Sequence, residues 1–230
     1  MTIGGIQKNT LIDYPGKIAA TVFLAGCNLR CPWCYSSELV LPEKIKEQPV
    51  ISEKELFSFL NERKGLLEGV VICGGEPTIN KDLPDLLKRI KKMGFSLKLD
   101  SNGTNPEILE NLVGKNLIDY VAMDVKLPKE KYKEVLGVDP ERIDRSISFL
   151  KKGKADYEFR TTVVPGVLEK EDILKIADWI KGSKKYYLQN FRAEKTIDPS
   201  FAKRKPYSDE YLKEILESIR PLFETCQLRD

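Results

Sequence analysis

The sequence predicts an α/β fold in which short strands and amphipathic helices alternate to form a partial (β/α)6 barrel. Two observations carry this prediction. Short runs rich in Val, Ile, Leu and aromatic residues recur along the chain, and the segments between them place apolar residues three and four positions apart. Six such units in 230 residues are too few to close an eight-fold barrel, which takes about 250 residues.

Six predicted strands follow one another along the chain. They cover residues 18–24, 69–73, 95–100, 120–125, 157–164 and 185–190. Strands that alternate with helices form parallel sheets, because each helix returns the chain to the same end of the sheet. The carboxyl ends of the strands therefore share one edge, where the sites of such folds lie.

Five amphipathic helices accompany these strands. The first begins at a capping box, in which Ser52 is the N-cap and Glu55 stands three residues later. The last covers about residues 208–220 and ends before Pro221. We find no linker or repeat, so we expect a single domain over residues 1–230. The apolar positions of the helices are Leu56, Phe59 and Leu60; Leu83, Leu86, Leu87 and Ile90; Ile108, Leu109, Leu112 and Val113; Ile173, Leu174, Ala177 and Ile180; and Tyr211, Leu212, Ile215, Leu216 and Ile219.

Composition narrows the functional classes. The chain carries 38 Lys and Arg against 35 Asp and Glu, and the interspersed charges give no general attraction for nucleic acid. No signal peptide or transmembrane run is recognisable, so we expect a cytoplasmic protein without membrane partners. There is no histidine, which removes the commonest general base and zinc ligand.

Three of the five cysteines lie in one loop, residues 26–35, directly after the first predicted strand: Cys27, Cys31 and Cys34. Three thiolates can ligate three irons of a [4Fe–4S] cluster and leave the fourth iron open for a ligand. The alternative is a structural zinc site completed by Cys73 or Cys226. We predict instead that Cys73 is a small buried strand residue and that Cys226 lies in a polar C-terminal tail without a special role.

A second motif ends the second predicted strand, with the sequence Cys73-Gly74-Gly75-Glu76-Pro77. Adjacent glycines let the backbone approach a ligand closely, and a carboxylate follows them. The structural alternative is a tight turn before a helix that starts at Pro77. Because the motif shares the sheet edge with the cysteine loop, we favour the ligand-binding interpretation.

Together, the Cys-x-x-x-Cys-x-x-Cys loop and the Gly-Gly-Glu-Pro turn resemble the motifs of the radical SAM superfamily. The resemblance implies that the three cysteines hold a [4Fe–4S] cluster whose open iron binds the methionyl amino and carboxylate groups of S-adenosylmethionine. One electron from the cluster then breaks a C–S bond and gives a 5′-deoxyadenosyl radical. The chain would thus be an oxygen-sensitive, anaerobic oxidoreductase.

The resemblance also implies which residues contact S-adenosylmethionine. Gly74, Gly75 and Glu76 would meet its amino group, and Trp33 and Gln189 would lie near its nucleoside. For Trp33 the alternative is ordinary packing in the core.

Further residues are similar to those of the glycyl-radical-enzyme activating enzymes, including pyruvate formate-lyase activase. The resemblance implies that these residues position S-adenosylmethionine, in some members with a monovalent cation: Asp100, Ser101, Asn102, Asp124, Lys126 and Arg160. Lys126 would pair with the methionyl carboxylate. The structural alternatives are a surface lysine for Lys126, and turn or cap positions for the two aspartates.

Residues 10–17 and 197–199 are most similar to one subgroup, the anaerobic ribonucleoside-triphosphate reductase activating proteins. This resemblance implies a glycyl radical enzyme as protein substrate and a flavodoxin- or ferredoxin-type electron donor. One departure leaves the partner open: after Cys34 the subgroup often reads His-Asn-Pro-Glu-Leu, and here it reads Tyr35-Ser36-Ser37-Glu38-Leu39. Two alternatives stand beside the activase: a radical SAM enzyme acting on a small molecule, as deazapurine synthases do, and a non-enzymatic zinc or iron–sulfur binding module.

Overall fold

The computed structural model describes residues 1–229, and its central feature is one eight-stranded sheet. The strands are ordered in space as they are in the chain. The first two are antiparallel, and every later strand is parallel to its neighbour. The strands are β1 (Ile3–Thr10), β2 (Ala19–Leu24), β3 (Gly69–Gly74), β4 (Ser96–Ser101), β5 (Tyr120–Asp124), β6 (Asp156–Val163), β7 (Lys185–Asn190) and β8 (Thr225–Arg229).

Helices connect the parallel strands. They are α1 (Ser37–Val40), α2 (Pro42–Ile45), α3 (Glu53–Glu62), α4 (Leu83–Lys92), α5 (Pro106–Gly114), α6 (Tyr132–Leu136), α7 (Pro140–Leu150), α8 (Lys170–Ile180) and α9 (Asp209–Ile219). The predicted capping box is present: Glu55 N donates to Ser52 Oγ at 3.2 Å, and the Glu55 carboxylate accepts from Ser52 N at 2.8 Å. Strands β1 and β8 are the two edges of the sheet. The predicted α/β fold, an open partial barrel, is therefore confirmed.

The structure contains elements that the sequence patterns did not predict. Strand β1 has the sequence Ile-Gly-Gly-Ile-Gln-Lys-Asn-Thr, whose glycines and polar residues conceal an edge strand. Strand β8 has only five residues, near the C-terminus. Helix α7 was also missed, although Asp139 caps it, Pro140 opens it, and Ile143 and Ile147 are buried at helical spacing.

The two faces of the sheet carry different types of side chain. On β4, the fully buried Leu97 and Leu99 belong to the core packed beneath the helices, whereas Lys98 and Asp100 point to the other face. That inner face surrounds a lumen, and several strands contribute polar side chains to it: Thr21, Lys98, Asp100, Asp124, Glu158 and Arg160.

An aromatic pair closes the lumen at the amino ends of the strands. Tyr14 is 3% exposed and packs against Tyr120 with ring centroids 6.0 Å apart, beside Ala19 and Val71. Gly69 makes room for this ring, since a Cβ there would lie 2.8 Å from Tyr14. The open end of the lumen is therefore the carboxyl end, where the predicted site residues lie. Over residues 1–229, the helices are all too short or too polar to cross a membrane.

Candidate active site

The cysteine loop follows the carboxyl end of β2. Cys31 is buried, at 6% exposure, and Cys27 and Cys34 are half-buried. Burial raises the pKa of the Cys27 thiol and raises that of Cys31 to about 11. Thiols in such a setting ionise when a metal centre stabilises the thiolate, because the bound cations reverse the effect of burial.

The arrangement of sulfur ligands fits a cluster better than a zinc ion. Cys73 lies on β3 and Cys226 on β8. Within residues 1–229, no three Cys, Asp or Glu side chains come together closely enough to hold one metal ion. A zinc ion draws its sulfur ligands to about 2.3 Å from a single point, whereas a cubane distributes them over separate irons. The loop supplies three thiols, which is the number of protein ligands that the predicted [4Fe–4S] cluster with one open iron requires.

The structure corrects the description of Cys226. This residue does not lie in a polar tail but in β8, where it is 5% exposed and belongs to the main hydrophobic core. The strand was missed because its sequence, Thr-Cys-Gln-Leu-Arg, is short and mostly polar.

Backbone hydrogen bonds join the Gly-Gly-Glu turn to the cysteine loop. Gly75 N donates to Leu24 O at 2.9 Å, and Glu76 N donates to Gly26 O at 2.8 Å. Gly74 has a φ of +119°, and a Cβ on it would lie 2.2 Å from Leu24 O. A Cβ on Gly75 would lie 2.1 Å from Gly26 O. Both glycines are thus required for the close contact between the two loops.

The Glu76 carboxylate is fully buried and accepts four hydrogen bonds from the protein. Its Oε1 accepts from Thr78 N at 3.1 Å, from Thr78 Oγ1 at 2.5 Å and from Ser101 Oγ at 2.9 Å. Its Oε2 accepts from Asn102 N at 2.6 Å. Burial raises the pKa of Glu76, and these hydrogen bonds oppose the rise. The side chain predicted to meet S-adenosylmethionine therefore already holds the loop after β4 against the loop after β3.

An amide pair ties the loop after β4 to the cysteine loop as well. Asn102 Nδ2 donates to Asn28 Oδ1 at 3.0 Å, and Asn28 Nδ2 donates to Thr104 Oγ1 at 2.8 Å. Gly103, with a φ of +74°, packs against Met123, where a Cβ would lie 2.1 Å from the methionine methyl. The loops after β2, β3 and β4 form one hydrogen-bonded unit around the cysteines. Of these residues, sequence reasoning missed Asn28 and Thr104.

A chain of ion pairs lies at the mouth of the lumen. Arg160 Nη1 is 2.8 Å from Asp100 Oδ2, and Arg160 Nε is 2.9 Å from Asp124 Oδ1. Lys126 Nζ is 3.0 Å from Asp124 Oδ2. Burial alone would raise the pKa of both carboxyls, but the neighbouring positive charges outweigh it, lower the pKa of Asp100, and lower that of Asp124 to about 2. Four predicted site residues are thus brought into contact.

Lys98 extends this chain from below and was not predicted. Its ammonium contacts Asp100 Oδ1, and its side chain is 1% exposed. The available signal was its position between Leu97 and Leu99, since a lysine inside an apolar strand is rarely buried without a partner.

Trp33 and Gln189 border the same mouth. Trp33 is 7% exposed and packs 6.2 Å from Phe201, centroid to centroid. The indole also lines a cleft together with Asp124, Lys126, Arg160 and Thr162. Trp33 is thus a packed residue at the edge of the cleft, and its contact with a nucleoside stays a prediction. Gln189 is at the carboxyl end of β7, in register with Thr162 of β6.

A segment from the C-terminal third of the chain holds the cysteine loop. Ile197 N donates to Cys34 O at 3.0 Å, and Asp198 N donates to Pro32 O at 2.9 Å. In the sequence, only a resemblance to one subgroup singles these residues out. In the structure, their backbone amides donate hydrogen bonds to two carbonyl oxygens of the cysteine loop.

Comparison with known proteins shows the family of the chain. The model of the family described as "Radical SAM superfamily" matches residues 21–180. A Methanocaldococcus jannaschii protein assigned by name to the glycyl-radical enzyme activating enzymes is 37% identical, over 99% of this chain and 95% of its own length. A 7-carboxy-7-deazaguanine synthase of Thermococcus kodakarensis is 27% identical, over 73% of this chain and 72% of its own length.

The fold has solved counterparts. Streptococcus suis SuiB bound to S-adenosylmethionine superposes with a TM-score of 0.63 at 16% identity, which covers 90% of this chain and 51% of that one. The chain thus spans about half of SuiB, and at this identity the likeness concerns the fold. Membership of the family implies a [4Fe–4S] cluster and S-adenosylmethionine as cofactors. With motif, geometry and family match in agreement, we assign the chain to the radical SAM superfamily, as a radical SAM enzyme similar over nearly its whole length to the glycyl-radical enzyme activating enzymes.

Proposed function

We propose that this enzyme is a glycyl-radical-enzyme activase whose partner is an anaerobic ribonucleoside-triphosphate reductase. In this reaction, reductive cleavage of S-adenosylmethionine yields a 5′-deoxyadenosyl radical, which removes a hydrogen atom from the Cα of a backbone glycine. The 37% identity to an activating enzyme over 95% of that protein supports the activase. The subgroup resemblance of residues 10–17 and 197–199 supports the reductase as partner.

The protein's task is to hold the cofactors in place and to keep water away. Cys27, Cys31 and Cys34 would ligate the cluster, which supplies one electron. Lys126 would bind the methionyl carboxylate: its ammonium has three N–H donors and uses one on Asp124. The backbone of Gly74 and Gly75 would face the amino group, and Trp33 and Gln189 would border the nucleoside.

Within this scheme, several predicted contact residues would act indirectly. Glu76, Ser101 and Asn102 are hydrogen-bonded to one another and to the loops around the cysteines. Asp100 and Arg160 fix Asp124, which in turn orients Lys126. These residues would set the geometry of the mouth, and the ammonium of Lys126 would be the group that meets the cofactor.

The observation that carries the activase proposal is the filling of the lumen below the mouth. Lys98 and Glu158 are buried there, Tyr120 Oη donates to Glu158 Oε2 at 2.7 Å, and Tyr14 closes the far end. Little room is left for a small substrate to be enclosed beneath the cofactor. A glycine Cα that a loop of another protein presents at the mouth would not need a cavity inside the lumen.

The proposal can be tested by anaerobic incubation of the reconstituted enzyme with S-adenosylmethionine, a reductant and the candidate reductase. Electron paramagnetic resonance should then show a glycyl radical on the reductase. With the glycine of the reductase deuterated at Cα, deuterium should appear in the 5′-deoxyadenosine. If cleavage proceeds with the reductase present and neither radical nor label is found, this reductase is not the substrate.

A second candidate is a small-molecule radical SAM enzyme, which the similarity to a 7-carboxy-7-deazaguanine synthase favours. That similarity is lower in identity and covers less of the chain than the match to the activating enzyme. Consumption of a small molecule from cell extract in step with S-adenosylmethionine, without any protein radical, would favour this candidate.

We also propose a flavodoxin- or ferredoxin-type electron donor that docks beside the cysteine loop. Arg30 supports this position, because it is exposed and its guanidinium bonds to Cys27 O at 2.7 Å. Lys195, Lys203 and Lys205 are exposed on the segment that packs on the loop. Such donors are acidic, so reduction of the cluster should slow as ionic strength rises.

A further inference from the structure

The carboxylates at the mouth do not fit a monovalent cation. The resemblance to the activating enzymes implied such a cation, in some members, near Asp100 and Asp124. All four carboxylate oxygens of these residues already face a positively charged nitrogen of the chain, so a metal cation bound there would lie beside an ammonium or a guanidinium group and be repelled by it. Asp100 meets Lys98 and Arg160, and Asp124 meets Arg160 and Lys126.

The ammonium of Lys98 lies beside the Asp100 carboxylate, on the lumen side of the sheet. Lys98 lies on the lumen face of β4, two positions before Asp100, so both side chains point to the same side of the sheet. Its ammonium contacts Asp100 Oδ1 and lies 6.0 Å from the centre of the Tyr120 ring. The side chain is 1% exposed, and a charged ammonium buried to this extent requires a partner such as the Asp100 carboxylate to compensate for its lost hydration.

The charged side chains at the mouth of the lumen are not balanced. Lys98, Arg160 and Lys126 face the two carboxylates Asp100 and Asp124, which leaves one positive charge in excess. Lower in the lumen, Glu158 pairs with Arg229 and also interacts with Lys98 and Arg160, and adding this pair to the count leaves the excess of one positive charge unchanged. A metal cation would add to the excess in a region of low dielectric constant, whereas a carboxylate ligand would cancel it.

We propose that the ammonium of Lys98 replaces the monovalent cation, so that this enzyme binds S-adenosylmethionine without any added alkali metal ion. Lys98 is then a positioning residue: it neutralises Asp100 and leaves Arg160 and Asp124 free to orient Lys126. The inference rests on S-adenosylmethionine binding at this mouth and is independent of the identity of the partner protein.

The test measures binding of S-adenosylmethionine to the anaerobically reconstituted enzyme in potassium, sodium or tetramethylammonium chloride at one ionic strength. We expect wild-type affinities that agree within about twofold. Lys98→Met, which keeps the volume and removes the charge, should bind about tenfold or more weakly in tetramethylammonium, and potassium or sodium should restore part of the loss. Lys92→Met, at an exposed position of α4, is the matched control and should behave as wild type.

A second readout uses the metal-free chain without S-adenosylmethionine. For the wild-type chain, the thermal midpoint should be the same in potassium chloride and in tetramethylammonium chloride. For Lys98→Met, the midpoint should be higher in potassium chloride than in tetramethylammonium chloride. The inference is overturned if the wild-type enzyme needs an alkali metal ion for binding, or if Lys98→Met binds as wild type does in tetramethylammonium. The wild-type measurement requires no variant, so it decides the matter even if Lys98→Met fails to fold. None of these measurements involves the partner, so absence of a glycyl radical would leave their outcome unaffected.

Discussion

The amide of Glu76 donates a hydrogen bond to the carbonyl oxygen of Gly26 at 2.8 Å, which joins the loop after β3 to the cysteine loop. Gly75, one residue earlier, lies so close to that loop that a Cβ would come within 2.1 Å of Gly26 O and 3.1 Å of Cys27 Cβ. The two motifs recognised separately in the sequence are therefore in direct backbone contact.

Gly75→Ala should displace the cysteine loop, because a backbone carbonyl cannot yield as a flexible side chain does. We expect a folded protein that retains little iron after anaerobic reconstitution, as measured by iron and sulfide analysis. Gly114→Ala in α5 is the control, since a Cβ there meets nothing within 4 Å. Normal iron content in Gly75→Ala would show that the loop contact does not govern cluster assembly.

The cluster ligands are tested by alanine substitution. Cys27→Ala, Cys31→Ala and Cys34→Ala should each abolish cleavage of S-adenosylmethionine, because one cubane iron loses its protein ligand. Cys226→Ala should retain its iron but lower the free energy of unfolding by about 1 kcal/mol, since it removes a buried side chain of β8. Loss of iron from Cys226→Ala comparable to that from Cys31→Ala would revive the zinc interpretation.

Glu76→Ala should reduce stability as well as affinity for S-adenosylmethionine. Four donor groups around the carboxylate lose their acceptor, and each buried donor left unpaired costs about 1–3 kcal/mol. We expect a loss of at least about 3 kcal/mol in chemical unfolding of the metal-free chain. A variant with wild-type stability and weakened binding would instead indicate that Glu76 acts mainly on the ligand.

Lys126→Met provides the contrast, because Lys126 is partly exposed at the mouth and has donors to spare. Loss of a charge-assisted contact costs about 1.5–3 kcal/mol, so S-adenosylmethionine should bind roughly ten- to a hundredfold more weakly. Iron content should stay near normal. Anaerobic titration of the reconstituted variant measures the change, and an unchanged affinity would assign Lys126 to the surface.

The ion pairs at the mouth should make stability fall in acid. The positive charges of Arg160 and Lys126 outweigh partial burial and lower the pKa of Asp124 to about 2. A carboxyl with a lowered pKa stabilises the fold above its unfolded value of about 3.9, and this contribution is lost as the pH falls toward 2. Metal-free Asp124→Asn should therefore lose less stability than wild type between about pH 5 and about pH 2.5.

Asp85→Asn, at an exposed position of α4, is the control for this measurement and should follow the wild-type curve. Thermal or urea unfolding at each pH gives the comparison. Parallel curves for wild type and Asp124→Asn would contradict the assignment of a lowered pKa to Asp124.

The central strands and most helices were predictable because their apolar periodicity is strong. Strand β1 was not, since its stability comes from pairing with β2 and not from its own residues. Helix α7 has a recognisable start at Asp139 and Pro140. It was not predicted, although the crossover between two parallel strands such as β5 and β6 usually contains a helix.

Motif resemblance predicted Glu76, Ser101 and Asn102 as ligand contacts, and that role stays a prediction. What the resemblance could not predict is the set of hydrogen bonds that joins these residues to one another and to Asn28. Lys98 was missed because no motif includes it. Its position between Leu97 and Leu99 marks it as an unusual lysine in the sequence, but its burial and its pairing with Asp100 become apparent only once the strands are assembled.

The bonds from Ile197 and Asp198 to Cys34 and Pro32 have a consequence for biosynthesis. The ribosome has to add more than 160 further residues after Cys34 before these two amides exist. At about 5–20 residues per second, that interval lasts roughly 10–30 s. During this time the cysteine loop lacks its hydrogen bonds to Ile197 and Asp198, and its thiols are open to oxidation and to non-cognate metal ions. Cluster insertion is therefore expected to follow chain completion, and the delivery of iron and sulfide has to be matched to the finished polypeptide.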